Sequence, residues 1–204
     1  DSTRATGIAG VRVRALEPGP LVATLLVEAE RTPGARRVVR EIRVVSGLDR
    51  VDLAVMVDKL PVREREGVHL AFPLRVPGGQ LRFDVATAVV RPDSDQLAGS
   101  SRNVVNVQSW VDVSNDSLGV TWASVDAPLV EIGGLNAESP WMRSLPRSQT
   151  FFSYVMNNYW HTNYKADQDG PVTFRYALRP HGAFSAEEAG RVGMAARRPL
   201  LGAP

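Results

Sequence analysis

Val38-Val39-Arg40-Glu41-Ile42-Arg43-Val44-Val45, the turn Ser46-Gly47-Leu48-Asp49-Arg50, and Val51-Asp52-Leu53-Ala54-Val55-Met56-Val57-Asp58 together decide the class of fold. Val38, Arg40, Ile42 and Val44 share one parity, and Val51, Leu53, Val55 and Val57 face away from Asp52 and Asp58. A period of two, rich in Val, describes half-buried strands rather than helices. Upstream, Val11 and Val13 bracket Arg12, and Leu21, Ala23, Leu25 and Val27 share a parity. Turn formers separate these runs: Glu17-Pro18-Gly19-Pro20, Thr32-Pro33-Gly34, Pro77-Gly78-Gly79 and Pro92-Asp93-Ser94-Asp95. No strand is followed by a long amphipathic helix, so a βαβ architecture is disfavoured and an antiparallel sandwich is expected.

Downstream, strands are expected over Leu70–Val76, Gln80–Val90, Asn103–Val113, Gly119–Ala123, Leu129–Ile132, Phe151–Met156 and Thr173–Leu178. One short C-terminal helix is expected, because Ser185 and Glu188 have capping-box spacing and Pro199 supplies a stop. The expectation is an all-β chain, a single β-sandwich domain over 1–204. Asp1–Ala9, the loop Gly134–Gln149 and the tail 199–204 read as weakly ordered.

The chain has 204 residues, 44% hydrophobic and 23% charged, a composition that excludes collagen, coiled coil and wholesale disorder. It has no Cys, which removes disulfide scaffolds, Cys-ligated zinc, iron–sulfur clusters and thiol catalysis. The net charge of +2 comes from interleaved acids and bases, such as Arg63-Glu64-Arg65-Glu66, without the basic, aromatic-studded stripe that nucleic acid requires. No apolar run reaches the roughly 18 residues of a membrane span. Asp1-Ser2-Thr3-Arg4 has no apolar signal core. With no initiator Met, the chain reads as a piece of a longer, cytoplasmic protein.

Two stretches combine polar and aromatic residues. In Ser100–Asp116 the alternation sets Val105, Val107, Ser109, Val111 and Val113 against Asn106, Gln108, Trp110 and Asp112. A face of amides, indole and carboxylate suits a sugar, and equally a sheet face packed under a loop or another domain. Tyr154–Lys165 holds Tyr159, Trp160, His161, Asn163 and Tyr164, side chains that gather at sugar sites and at domain contacts. These five are expected at the surface, clustered with Trp110 or Asp112. His69, between Val68 and Leu70, reads as structural. His69, His161 and His181 form no His-x-x-x-His pattern, so no self-contained metal site is expected. No Gly-x-Ser-x-Gly elbow or phosphate loop is present.

Several runs are familiar together. Arg40-Glu41-Ile42-Arg43 through Gly47-Leu48-Asp49-Arg50-Val51-Asp52, Ala71-Phe72-Pro73-Leu74, Gln108-Ser109-Trp110-Val111-Asp112-Val113-Ser114 with Gly119-Val120, and Asn157-Asn158-Tyr159-Trp160-His161-Thr162-Asn163-Tyr164 occur in this order. The chain resembles the C-terminal β-sandwich region of glycoside hydrolase family 38, the α-mannosidases, over about Val11 to Leu201. The resemblance implies a galactose-mutarotase-like supersandwich. It also implies a parent whose separate α/β barrel carries zinc, an Asp nucleophile and a His-x-Asp motif. Here the histidines open His69-Leu70-Ala71, His161-Thr162-Asn163 and His181-Gly182-Ala183, so that motif has no counterpart. The fragment is therefore expected to hold no cofactor and no catalytic residue. Its expected partners are the parent's barrel and a mannoside. Two rivals remain: an independent carbohydrate-binding module using Trp110, Trp160 or Tyr164, and a mutarotase-like epimerase pairing His161 or His181 with Glu131.

Overall fold

The computed structural model describes residues 6–137, 139–158 and 165–198. They fall into two compact units: 1–67 with 156–175, and 68–155 with 176–204. Sequence periodicity suggests one sandwich over the whole chain and does not mark this division.

The first unit is built on a meander of β1 (Ala9–Pro18), β2 (Val22–Arg31), β3 (Ala35–Val45) and β4 (Val51–Lys59), paired in that order and antiparallel. The register aligns residues of one parity in rows across the strands: Val13, Val27, Arg40, Val55 in one row and Ala15, Leu25, Ile42, Leu53 in the next. The alternation expected from sequence therefore lines up as one largely apolar face, interrupted by Arg40 between Val27 and Val55. The opposite face carries ion pairs, Arg14 with Glu28 at 3.6 Å, Arg37 with Glu28, and Arg12 with Glu30 at 3.6 Å.

The second unit contains β5 (Gly67–Pro73, from Val68 onward), β6 (Gln80–Val85), β7 (Ala88–Val90), β8 (Val105–Asn106), β9 (Trp110–Ser114), β10 (Gly119–Ser124), β11 (Leu129–Ile132) and most of β12 (Thr150–Asn157). The last strand, β13 (Gly170–His181), begins in the first unit and contributes Tyr176–His181 to the second. One sheet runs β13-β10-β9-β6-β7, and the other β5-β12-β11-β8. Between them Phe72 and Phe151 meet Trp122 and Tyr176, with ring centroids 5.1–5.4 Å apart. This is the sandwich core. On the far side of β9 and β10 lies α1 (Ala186–Arg197), whose Val192 packs with Ala123 and Ala177. A Cβ on Gly193 would stand 2.5 Å from Ser109 Oγ, so glycine there lets the helix approach the sheet. Hence β9 is buried on both faces.

Three expectations change. Gln80–Val90 is a hairpin, β6 and β7, turning at Thr87 with φ of 70°. Ala86-Thr87 carries no turn chemistry that a sequence reader would notice. Asn103–Val113 is two strands in different sheets. Asp84 marks the change, its Oδ1 accepting from Ser109 N at 2.8 Å and Trp110 N at 2.9 Å. Gly134–Gln149, expected to be weakly ordered, is tied down by side chains. Asn103 Nδ2 donates to the carbonyls of Asn136, Ser139 and Pro140, and Gln149 Nε2 donates to those of Val76 and Gly79. Such amide-to-backbone bonds replace a strand ladder in holding a loop. Residues 1–5 and 199–204 lie outside the described residues.

Two outcomes follow from this packing. Trp122→Ala, in a fully enclosed position, is expected to lower unfolding free energy by about 3–5 kcal/mol, read from urea melts. The helix start is as expected: Ser185 Oγ accepts from Glu188 N. The Glu188 carboxyl sits below its ordinary 4.5, first because Arg179 donates to it and then because Arg191 is near. A lowered folded-state pKa gives stability that is present above pH 4.5 and fades as pH falls through the folded value. The stability difference between wild type and Glu188→Gln, measured by urea melts across pH 3–7, is expected to be present at neutral pH and to vanish at the acid end.

Candidate functional site

The chemistry-bearing side chains of the second unit collect into two carboxylate–imidazole pairs. The first stands at the end of β9, β10 and β13. Register places Thr121 opposite both Asp112 and Arg179, and Gly119 opposite both Ser114 and His181, so these side chains share a face. Asp112 is fully buried. Its Oδ2 lies 2.7 Å from His181 Nε2 and accepts from Thr121 Oγ1 at 2.8 Å, while Oδ1 accepts from Ser114 Oγ. Arg82 Nη1 donates to Ser114 Oγ at 3.1 Å, and its guanidinium lies 4.5 Å from the centre of the Phe184 ring. A Cβ at Gly119 would stand 2.5 Å from His181 Cε1, so this glycine is what admits the imidazole to Asp112.

The second pair joins β5 to β11. Glu131 is fully buried, and its Oε1 accepts from the backbone N–H groups of Asn136 and Ala137. His69 Nε2 lies 2.7 Å from Glu131 Oε2, an ion-pair distance without the in-line geometry of a hydrogen bond. The His69 ring stacks on Tyr154, 4.5 Å between centroids and 4° from parallel. A buried carboxylate against an imidazole orients the ring. Here, however, both carboxylates are sealed and the histidine edge that could move a proton is turned onto them. The arrangement is suited to structure more than to turnover.

Burial works against any ionised phenol in the core: it pushes the Tyr176 hydroxyl well above its usual value, and that hydroxyl shares a 3.0 Å hydrogen bond with Ser153.

The sequence candidates fare unequally. Asn106 and Gln108 are exposed, whereas Trp110 is only 2% exposed and Asp112 is fully enclosed. Trp110 packs against Phe184 at 6.0 Å, with α1 beside it. The four therefore do not form the single polar face that alternation suggests, because the chain changes sheets at Ser109 and α1 covers the far side of β9. Trp110 offers no ring to a sugar. Tyr159, Trp160, His161, Asn163 and Tyr164 lie outside the described residues. Glu131 does pair with a histidine, but with His69 rather than His181, which Asp112 holds. Among the described residues no three His, Asp or Glu side chains come together as a metal-ligand set. None of the described helices is long and apolar enough to cross a membrane. His69 and His181 were the residues a linear reading could least place, since each meets its carboxylate through sheet register. Gly119 inside a strand is the one sequence signal of the close approach.

No protein-family profile and no curated sequence matches the chain. Solved structures do. An alpha-mannosidase from Enterococcus faecalis V583 aligns over 89% of this chain with a TM-score of 0.62 and 14% identity. A glycosyl hydrolase family 38 protein from Enterococcus faecalis aligns over 89% with a TM-score of 0.59 and 13% identity. The chain has the fold of a region of family 38 glycosyl hydrolases. It spans only 23% and 24% of the length of those two chains. In this fold the carboxylates of both imidazole–carboxylate pairs are fully buried, while His69 and His181 keep partial exposure.

Removing the shared acceptor is the direct test of that role. Asp112→Ala strands His181, Thr121 and Ser114 together and is expected to cost about 3–5 kcal/mol of stability, by the rule for breaking buried charge networks. Asn106→Ala and Gln108→Ala, at exposed positions, are expected to stay within about 0.5 kcal/mol of wild type in the same denaturant series.

Proposed function

We propose that this chain is the non-catalytic, C-terminal β-sandwich portion of an α-mannosidase-like glycoside hydrolase, which supports a catalytic barrel lying elsewhere in the parent polypeptide. The observation that carries this is the alignment of 89% of the chain with about a quarter of an alpha-mannosidase. The ordered run of family 38-like motifs from Arg40 to Tyr164 supports it independently of coordinates.

A retaining glycosidase needs two carboxyl groups about 5–5.5 Å apart and open to the sugar. Asp112 and Glu131 are sealed and each is committed to an imidazole. The family 38 resemblance implies that zinc and the Asp nucleophile belong to the parent's barrel, with a mannoside as that barrel's substrate. The sandwich contributes rigidity and surface, with the segment around Trp160 the candidate for a rim on the cleft. The carbohydrate-binding alternative loses Trp110 as a platform, and the epimerase alternative loses His181 as a free base.

The 204-residue chain is expected to release no 4-nitrophenol from 4-nitrophenyl α-mannoside, while the polypeptide encoded by the whole gene hydrolyses it with retention of configuration. Turnover by the 204 residues alone overturns the assignment. A saturable change in Trp fluorescence with mannobiose, in the same preparation, transfers the assignment to a binding module.

A further inference from the structure

Lys165-Ala166-Asp167-Gln168-Asp169-Gly170 leads into β13. Counted from Lys165, the stretch has Asp at its third and fifth positions and Gly at its sixth. The first half of an EF-hand calcium loop has this spacing, with Asp at one, Asp or Asn at three and five, and Gly at six for the sharp turn. Gly170 has φ of 87°, the left-handed conformation that such a turn asks of its glycine. Two positions depart from the pattern. Lys165 stands at the first, where the loop has an Asp, and Tyr176 at the twelfth, where an EF-hand has a Glu.

The structure sets the Lys165 ammonium between the two carboxylates. Its Nζ lies 2.7 Å from Asp169 Oδ1 and 3.3 Å from Asp167 Oδ1. The contacts are unequal. The first is a hydrogen bond, whereas Asp167 Oδ1 is sealed from solvent and has no hydrogen-bond partner among the described residues. Asp167 is only 6% exposed, and its other oxygen accepts from Arg63 Nε at 3.2 Å. A buried carboxylate oxygen without a donor is costly. An ammonium has three directed N–H groups and reaches one of these oxygens well and the other poorly, whereas calcium takes oxygen ligands in a flexible geometry.

Charge agrees with geometry. Burial raises the Asp167 carboxyl, and hydrogen bonds from Lys165 and then Arg63 outweigh it and hold the group below its ordinary 3.8. Hydrogen bonds to Asp169 first and Asp167 second hold Lys165 above its ordinary 10.5. Asp167 and Lys165 are therefore both charged at neutral pH. We infer that residues 165–170 form a cation site whose resident cation is the Lys165 ammonium, and that the site takes a divalent ion once position 165 carries an oxygen ligand in place of the amine. A carboxylate there leaves three acids against Arg63, an excess of two negative charges that one calcium ion neutralises. In the chain as it stands, Lys165 lets the residues entering β13 hold Arg63, from the connection between β4 and β5, without a metal. The inference goes beyond the proposed function and does not depend on it.

Calorimetric titration with calcium chloride, and thermal melts in millimolar calcium or in EDTA, test it. Wild type is expected to give no saturable heat and one melting temperature in both solutions. Lys165→Asp is expected to bind calcium with a Kd of about 10⁻⁴–10⁻³ M, the range of weak calcium modules, and to melt several degrees higher with calcium than with EDTA. Lys165→Asn keeps an oxygen ligand without the added charge, and is expected to show a smaller rise of the same sign. Adding Asp169→Asn to either variant is expected to weaken binding at least tenfold. Cooperative melting of both single variants with no calcium response overturns the inference. Saturable calcium binding by wild type overturns it too, because the ammonium is then not the resident cation. So does a calcium response that survives Asp169→Asn unchanged. Lys165 is 64% exposed, so both single variants are expected to fold. If neither folds even with calcium, Lys165 does something an oxygen ligand and an ion cannot replace, and the inference fails.

Discussion

Trp122 is the fixed point of the second unit. It is completely enclosed, stacks on Tyr176 at 5.2 Å and meets Phe72 and Phe151 edge-on. Rings of this size dominate core energetics through the area they remove from water, with edge and offset contacts adding about 0.5–1.5 kcal/mol per pair. The gain outweighs one evident cost, an indole N–H without a hydrogen-bond acceptor among the described residues, of order 1–3 kcal/mol. Because the indole reaches from β10 into both β5 and β12, it sets the separation of the two sheets. Everything on the other side of β10 is placed relative to that spacing.

With the sandwich side of β9 and β10 occupied by rings, the other side is left for polar groups and α1. Asp84, Asp112 and Ser114 are all buried there, and each is satisfied by neighbours on adjacent strands or by backbone N–H groups. Asp84 fixes the residues where the chain passes from one sheet to the other, and Asp112 gathers Ser114, Thr121 and His181. Glu131 acts in the same way on the second sheet, anchoring the start of the 134–149 loop. Buried carboxylates in this unit therefore hold turns and strand ends in register.

The first unit is built on a different principle. Its four-stranded meander sets glutamate–arginine pairs on one face, beside buried Leu26 and Val39, and mostly valine, leucine and isoleucine on the other, where Arg40 is the exception between Val27 and Val55. Exposed pairs of that kind contribute little stability, at most about 1 kcal/mol each. They keep one face wet and leave the other available. The two units thus differ in completeness: the second closes its own core, and the first leaves part of a face open.

The amino-acid sequence by itself determined the strand periodicity, the meander of the first half and the capped helix at Ser185. Each follows from neighbours within a few residues, where side-chain parity and local hydrogen bonds decide the outcome. The apolar row Val38–Ile42–Val44 opposite Val51–Leu53–Val55 was legible for that reason. The family resemblance, too, was carried by short runs in order. Tertiary structure alone decided that Trp110 and Asp112 face inward, because the helix covering them lies more than seventy residues downstream. It alone decided which carboxylate each histidine meets, since His69 and Glu131, or His181 and Asp112, are brought together by strand order rather than by spacing. Period-two alternation reports that a strand has two faces; only the elements packed against it decide whether either one meets water.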